Sequence, residues 1–169
     1  MQAVVKAATL LHGRCIAATA GSFWDVVTFV PSTRREIPPM LEATAGLARS
    51  VAFNSGPQNR LALTRGPRAS DPAREVLHDR FAMPGGQQAR VKGRHVLLVE
   101  DTWTSGAKAQ SAAVALRDAG AAYVTVLCVM RWCRWDWPGH AELLRTLDKP
   151  YDPLWCPVFG KAGCPPRLP

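Results

Sequence analysis

The sequence lacks long apolar runs, and none reaches the roughly 18 residues that a membrane-spanning helix needs. Residues 1–20 are interrupted by polar side chains, which is not typical of a signal peptide or a membrane anchor. We therefore expect a cytoplasmic protein with no membrane partner.

Cysteine motifs are also lacking. The chain has 5 cysteines, an odd number, and no Cys-x-x-Cys pair, so the spacing indicates neither a disulfide framework nor a usual zinc knuckle. Cys133, His140, Cys156 and Cys164 could in principle gather around zinc, but their spacing disfavours this. No Gly-x-Ser-x-Gly elbow is present, which argues against a serine hydrolase of that type.

Acidic residues are outnumbered: 21 Lys+Arg face 13 Asp+Glu, giving a net charge of +8. The basic residues are spread along the chain rather than gathered in one tract, which disfavours nucleic-acid binding without excluding it. Arginine has a planar fork that suits phosphate, so a pocket for a small polyanion is one explanation of the excess. The other explanation of the excess is a genome rich in arginine codons.

Length and composition predict one domain, since 169 residues with 47% hydrophobic and 20% charged side chains can bury a full core. Helices are predicted over residues 1–20, about 40–50, 109–119 and 140–147, and strands over 25–30, 61–64, 95–99 and 123–130.

The arrangement of these elements predicts an α/β fold. The strand, helix and strand between residues 95 and 130 form a βαβ unit, whose strands are parallel. We expect three layers, a mainly parallel sheet of about five strands, helices on both faces and a small cap. Residues 65–90 are predicted to be a flexible loop with a helical turn near 73–78, and residues 131–169 a C-terminal cap.

Two carboxylates and a hydroxyl-bearing loop lie between the most apolar predicted strand and the next helix. Ligands of open α/β sheets bind just past the carboxyl ends of strands, and a helix N-terminus favours an anion. Thr104 and Ser105 add hydroxyl donors, and Gly106 lets the backbone approach closely. Glu100 and Asp101 would repel phosphate, so they suit sugar hydroxyls or a magnesium ion. A sugar beside a phosphate indicates a ribose phosphate site.

The segment VLLVEDTWTSGA resembles the phosphoribosyl pyrophosphate loop of the type I phosphoribosyltransferases. The resemblance implies that Glu100 and Asp101 are the catalytic pair and hold the ribose 2- and 3-hydroxyls. It implies Mg²⁺ as cofactor, with Asp101 as the one candidate protein ligand. It further implies a 5-phosphate loop made of Thr102, Trp103, Thr104, Ser105, Gly106 and Ala107. The sequence departs from the family at Thr102 and Trp103, where aliphatic residues are usual.

The earlier segment DVVTFVPSTRR resembles the competence-associated, amidophosphoribosyltransferase-like subgroup of that family. This resemblance implies pyrophosphate contacts from Ser32, Thr33, Arg34 and Arg35, although the two arginines fit a solvated turn equally well. Residues 65–90 fall where the family has its flexible catalytic loop. The candidates there to close over pyrophosphate are Arg68, Arg74 and Arg80.

The resemblance implies an enzyme of nucleotide metabolism. It would transfer a 5-phosphoribosyl group from phosphoribosyl pyrophosphate to the nitrogen of an unknown base or amine and release pyrophosphate. The alternative is a non-catalytic regulator that binds a phosphoribosyl ligand, or a protein of competence and DNA uptake. A homodimer is expected from the family. Trp132, Trp135 and Trp137 could stack on a nucleobase, but packing within the cap is favoured.

Overall fold

The computed structural model describes residues 1–33, 38, 41–72, 74–147, 149–160 and 163–164. Its helices are α1 (Gln2–Ala18), α2 (Ala43–Arg49), α3 (Ala107–Asp118) and α4 (Pro138–Thr146). Its strands are β1 (Val26–Phe29), β2 (Thr64–Arg65), β3 (Phe81–Ala82), β4 (His95–Trp103) and β5 (Tyr123–Arg131). None of the helices in this part of the chain combines the length and hydropathy needed to cross a bilayer.

A parallel sheet organises the fold, with strand order β1–β4–β5. The central strand β4 is buried from His95 to Glu100, as expected of a strand covered on both faces. Leu97 and Val99 pack with α1 and α2, whereas Val96 and Leu98 pack with α3. Because successive side chains of a strand point to opposite faces, the helices form layers on both sides. The predicted three-layer α/β arrangement is confirmed.

The parallel sheet is smaller than expected, with three strands among the described residues rather than about five. The strand predicted over 61–64 is not formed beside β1. Residues 61–63 are not in a strand, and Thr64 belongs to β2. Next to β1 there is one parallel bridge, between Val27 and Arg60, and the Leu61 N–H donates to the Val27 carbonyl at 3.2 Å. The two remaining strands, β2 and β3, form a separate antiparallel pair.

The helical turn predicted near 73–78 is wrong for residues 74–78, where the structure has no helix. The Leu77 N–H does not bond back along its own segment. It donates instead to the Ser111 hydroxyl of α3 at 2.9 Å, and that hydroxyl donates to the Ala107 carbonyl at 2.7 Å. A long-range partner therefore replaces the local hydrogen bond that a helix would need.

β4 is longer than predicted, and this changes the environment of the acidic pair. The strand continues past Val99 to Trp103 because β5 runs beside it as far as Arg131, which pairs with Trp103. Glu100 and Asp101 consequently lie within the strand, and the connection to α3 shrinks to residues 104–106. The loop predicted over 102–107 is corrected accordingly.

The C-terminal region also departs from expectation. Trp132, Trp135 and Trp137 are 60%, 67% and 59% exposed. Among the described residues, the packing predicted for them within the cap is reduced to a tilted contact between Trp137 and His140, whose ring centroids are 4.7 Å apart. The three tryptophans precede or cap α4, whose one buried side chain is Ala141. The role of residues 131–169 as a cap stays a prediction.

Candidate functional site

A cavity of about 440 Å³ opens at the carboxyl end of β4, where the sequence predicted a ligand. Every residue from Glu100 to Ala107 lines it. Thr33, Arg74, Arg80 and Lys108 contribute to the remaining walls. The structure therefore brings the acidic pair, the hydroxyl-bearing loop and several cations to one place.

The acidic pair lies on the cavity wall with unequal exposure. Glu100 is 7% exposed, while Asp101 is only half-buried. Burial, the hydrogen bond between the two carboxyl groups and the charge of Asp101 raise the pKa of Glu100 to about 8. At neutral pH the pair therefore holds one proton. Such a pair can both donate to and accept from a sugar hydroxyl.

The start of α3 provides an anion site beside these acids. Gly106, with a left-handed φ of 78°, turns the chain directly into the helix. The Ala107 N–H donates to the Ser105 hydroxyl at 3.3 Å, and N–H groups of a first helical turn have no partner within the helix. Lys108 Nζ lies 3.4 Å from Thr33 Oγ1, which places a positive charge over this end of the cavity. Helix dipole and lysine together favour phosphate.

Trp103 contributes both to the apolar core and to the cavity wall. Its indole packs against the apolar cluster of α3 and β4, and it also lines the cavity. It lies so close to Gly106 that a Cβ there would be 2.2 Å from the indole Cζ2. Only glycine fits under this ring, so the tryptophan helps to define the path of the loop.

A buried ion pair, which sequence reasoning missed, positions the segment after β1. Glu42 is 4% exposed; it accepts a hydrogen bond from the Ser32 N–H at 2.5 Å and pairs with Arg65. Arg65 Nε donates to the Ser32 carbonyl at 2.6 Å. Glu42 precedes the observed start of α2 but falls inside the helix predicted over about 40–50, so the sequence offered no signal for this pair.

The four predicted pyrophosphate contacts have different outcomes. Ser32 is held in this ion-pair network and does not line the cavity, whereas Thr33 does line it. Arg34 and Arg35 lie outside the described residues.

The structure distinguishes the three candidate arginines of residues 65–90. Arg74 and Arg80 line the cavity, and Arg80 is almost completely buried, with its Nη2 3.3 Å from the Asp71 carbonyl. Arg68 does not line the cavity, and its Nη2 pairs with the Asp71 carboxylate at 2.7 Å. The exposed Arg74 can therefore reach an anion in the cavity directly, whereas the buried Arg80 adds its positive charge to the cavity wall.

Comparison with known proteins gives structural likenesses alone. No family model matches the sequence. No curated protein matches it either. Among solved structures, the chain is similar to the allosteric regulatory enzyme of purine biosynthesis, with a TM-score of 0.40 and 21% identity over 75% of this chain and 26% of that chain. The chain thus spans about a quarter of the length of that enzyme. It is also similar to a phosphoribosyltransferase from Corynebacterium diphtheriae, with a TM-score of 0.39 and 26% identity over 80% of this chain and 73% of that chain. Likenesses of this degree do not assign a family.

Proposed function

We propose that the protein binds phosphoribosyl pyrophosphate in this cavity and transfers its 5-phosphoribosyl group to a nitrogen nucleophile. One observation supports the proposal above all: a carboxyl pair suited to sugar hydroxyls and a helix N-terminus suited to phosphate line the same cavity. The volume of about 440 Å³ is that of a small-molecule site.

Each chemical group of phosphoribosyl pyrophosphate would contact a different set of residues in the cavity. The 5-phosphate would lie against residues 104–107, where backbone N–H groups and two hydroxyls converge. Glu100 and Asp101 would bind the ribose hydroxyls, with the shared proton donated to one oxygen. The pyrophosphate would extend toward Arg74 and Arg80, whose charges oppose its own.

Mg²⁺ fits the donors present, because carboxylate and hydroxyl oxygens are the ligands it prefers. Asp101 would hold the ion together with water and substrate oxygens, while Glu100, kept neutral by burial, remains a hydrogen-bond donor. When bound, Mg²⁺ supplies positive charge that stabilises the leaving pyrophosphate.

The chemistry then follows from charge. The bond between C1 and the pyrophosphate oxygen breaks with both electrons leaving on pyrophosphate, and the lone pair of the acceptor nitrogen forms the new bond to C1. The proton that this nitrogen then releases is taken up by the departing pyrophosphate. Arg74 and Arg80 stabilise the negative charge on the departing group. The Asp101 carboxylate offsets the positive charge that develops on the ribose ring.

Titration calorimetry tests the binding step. The double variant Glu100→Ala/Asp101→Ala should weaken the binding of ribose 5-phosphate and phosphoribosyl pyrophosphate by on the order of 100-fold. It removes one hydrogen bond from the neutral Glu100 carboxyl and one charge-assisted hydrogen bond to Asp101. Its affinity for inorganic phosphate should not fall, because the anion site of α3 is intact. Asp118→Ala, an exposed acid at the end of α3, is the matched control. Unchanged ribose 5-phosphate affinity in the double variant would refute the proposal.

Turnover is tested by measuring pyrophosphate release with a panel of bases and amines. Release with at least one acceptor supports transfer. Tight binding without release from any acceptor would instead favour the non-catalytic regulator. Membership of the competence-associated subgroup, the homodimer and the cytoplasmic location stay predictions.

A further inference from the structure

Four metal-binding side chains meet at α1, and none of them lines the cavity. They are His12, Cys15, Cys156 and Cys164, and their ligand atoms all lie within 4.8 Å of one another. His12 and Cys15 are one helical turn apart and so share a face of α1. Three of the four are buried. Two distant parts of the chain thus contribute two soft ligands each.

The His12 ring is oriented as a ligand. Its Nε2 lies 2.9 Å from the Pro153 carbonyl oxygen, which can only accept, so Nε2 carries the ring proton. Nδ1 is then left with its lone pair, and it lies 3.1 Å from Cys164 Sγ. Metal-binding histidines are held in the same way, with the second ring nitrogen donating to a carbonyl or carboxylate.

Cys156 lies in a tight turn that presents its sulfur to the cluster. The Gly160 N–H donates to the Cys156 carbonyl at 2.9 Å, and the Phe159 N–H points at Cys156 Sγ at 3.4 Å. Backbone N–H groups aimed at a sulfur favour the thiolate, which is the metal-binding form.

The segment that carries this turn has little apolar burial to hold it in place. Cys156 is the one buried residue in the range 149–160. The large side chains around it are exposed, with Leu154 at 75% and Tyr151 at 58%. Since this segment buries so little apolar surface, a cross-link to the rest of the fold is needed to stabilise it. A bound metal ion supplies such a cross-link.

We propose that His12, Cys15, Cys156 and Cys164 bind one structural zinc ion that fixes the C-terminal segment to α1. Three cysteines and one histidine form a closed tetrahedral zinc site, with no position left for a catalytic water. Zn–S bonds of about 2.3 Å place tetrahedral sulfur ligands about 3.7 Å apart, so the distances between the ligand atoms need to change by about 1 Å or less to hold the ion. Soft thiolates select zinc over Mg²⁺, which separates this site from the oxygen donors of the cavity.

The sequence spacing disfavoured zinc at Cys156 and Cys164, so this site was not predicted. The two companions considered with them, Cys133 and His140, do not join the cluster in the described part of the chain. His12 and Cys164 are 152 residues apart in sequence, so no local spacing motif could link them.

Metal analysis of the full chain, purified under reducing conditions, is the first test. We expect about one zinc per chain by mass spectrometry of the metal content, and a visible cobalt spectrum typical of tetrahedral thiolate ligation after exchange. Cys15→Ser and Cys156→Ser should lose the metal, whereas Cys133→Ser, outside the cluster, should retain it. Absence of zinc in the unaltered chain, with no uptake from added zinc chloride, would overturn the proposal.

Two further measurements separate the loss of zinc from the loss of the fold. His12→Cys replaces the imidazole by a fourth thiolate, and we expect it to retain zinc with a shifted cobalt spectrum. The second measurement uses a chain purified without reductant: after zinc is chelated and the chain denatured, alkylation should label every cysteine. A disulfide among Cys15, Cys156 and Cys164 in that experiment would contradict the zinc site and assign the cluster to oxidation instead.

Discussion

Replacing Gly106 with alanine tests whether Trp103 fixes the path of the anion-binding loop. Gly106 has a φ of +78°, and a Cβ at this position would meet the indole of Trp103 at 2.2 Å. The variant therefore combines a backbone cost with a steric one. It leaves every charged group of the cavity in place, so its effect on binding reports on loop geometry alone.

The two costs can be worked out separately. An alanine in the left-handed region costs about 1–2 kcal/mol. Displacing the indole from a packed position costs about 1–3 kcal/mol more. We expect the free energy of unfolding to fall by about 2–5 kcal/mol in total.

Gly93 provides the matched control. Its φ is +72°, and no atom would lie within 4 Å of an added Cβ. Gly93→Ala should therefore show the backbone cost alone, about 1–2 kcal/mol. Urea unfolding, monitored by circular dichroism, measures the free energy of unfolding of both variants. Calorimetry measures their affinity for phosphoribosyl pyrophosphate, which reports on the loop. We expect binding to weaken about tenfold or more in Gly106→Ala, because misplaced N–H groups lose charge-assisted hydrogen bonds.

The double variant Trp103→Leu/Gly106→Ala completes the cycle. Removing the indole should relieve the steric part, so the two substitutions should be non-additive by on the order of 1–3 kcal/mol. If Gly106→Ala destabilises the protein no more than Gly93→Ala, or if the double variant is additive, the indole does not define the loop.

Three other substitutions test the electrostatics of the site. The pKa of Glu100 is raised from the ordinary 4.5 to about 8. Between these two pH values the folded chain keeps a proton that the unfolded chain loses. The free energy of unfolding should therefore fall as the pH rises from 4.5 to about 8. Glu100→Gln should remove this dependence of the free energy of unfolding on pH, which is at most about 1.4 kcal/mol per pH unit. Urea titrations at several pH values, with a chelator present, measure it. An unchanged slope would show that another group is responsible. Glu42→Gln should cost about 3 kcal/mol because Arg65 keeps a part-buried charge without its carboxylate, and a loss below about 0.5 kcal/mol in urea unfolding would contradict this. Arg74→Ala should weaken phosphoribosyl pyrophosphate binding by about tenfold or more in calorimetry, whereas Arg68→Ala should change it little; equal effects would remove the distinction between the two arginines.

The elements that the sequence predicted well are those with a local cause. The apolar run at 95–99 and the alanine-rich stretch that Gly120 ends needed no partner to be recognised as strand and helix. The acidic pair and the loop after it form one continuous segment, so their joint contribution to a cavity was also predictable.

The elements that the sequence did not predict depend on distant partners. β4 extends to Trp103 only because β5 continues beside it as far as Arg131. The pairing of Glu42 with Arg65 and the meeting of His12 with Cys164 join residues far apart in the chain. Local periodicity contains no information on such contacts, since the fold decides which surfaces meet.

The Ser111 hydroxyl joins the two sides of the cavity through a single fully buried group. It accepts a hydrogen bond from the Leu77 N–H and donates to the Ala107 carbonyl, so one oxygen bridges the segment before β3 and the first turn of α3. Anion binding at the start of α3 and the position of the segment around Leu77 are therefore thermodynamically linked. An anion that stabilises the first turn of α3 also stabilises the present position of that segment, and the reverse holds as well. The Leu77 N–H is therefore a fixed point of that segment, since the hydroxyl that accepts its hydrogen bond is completely buried.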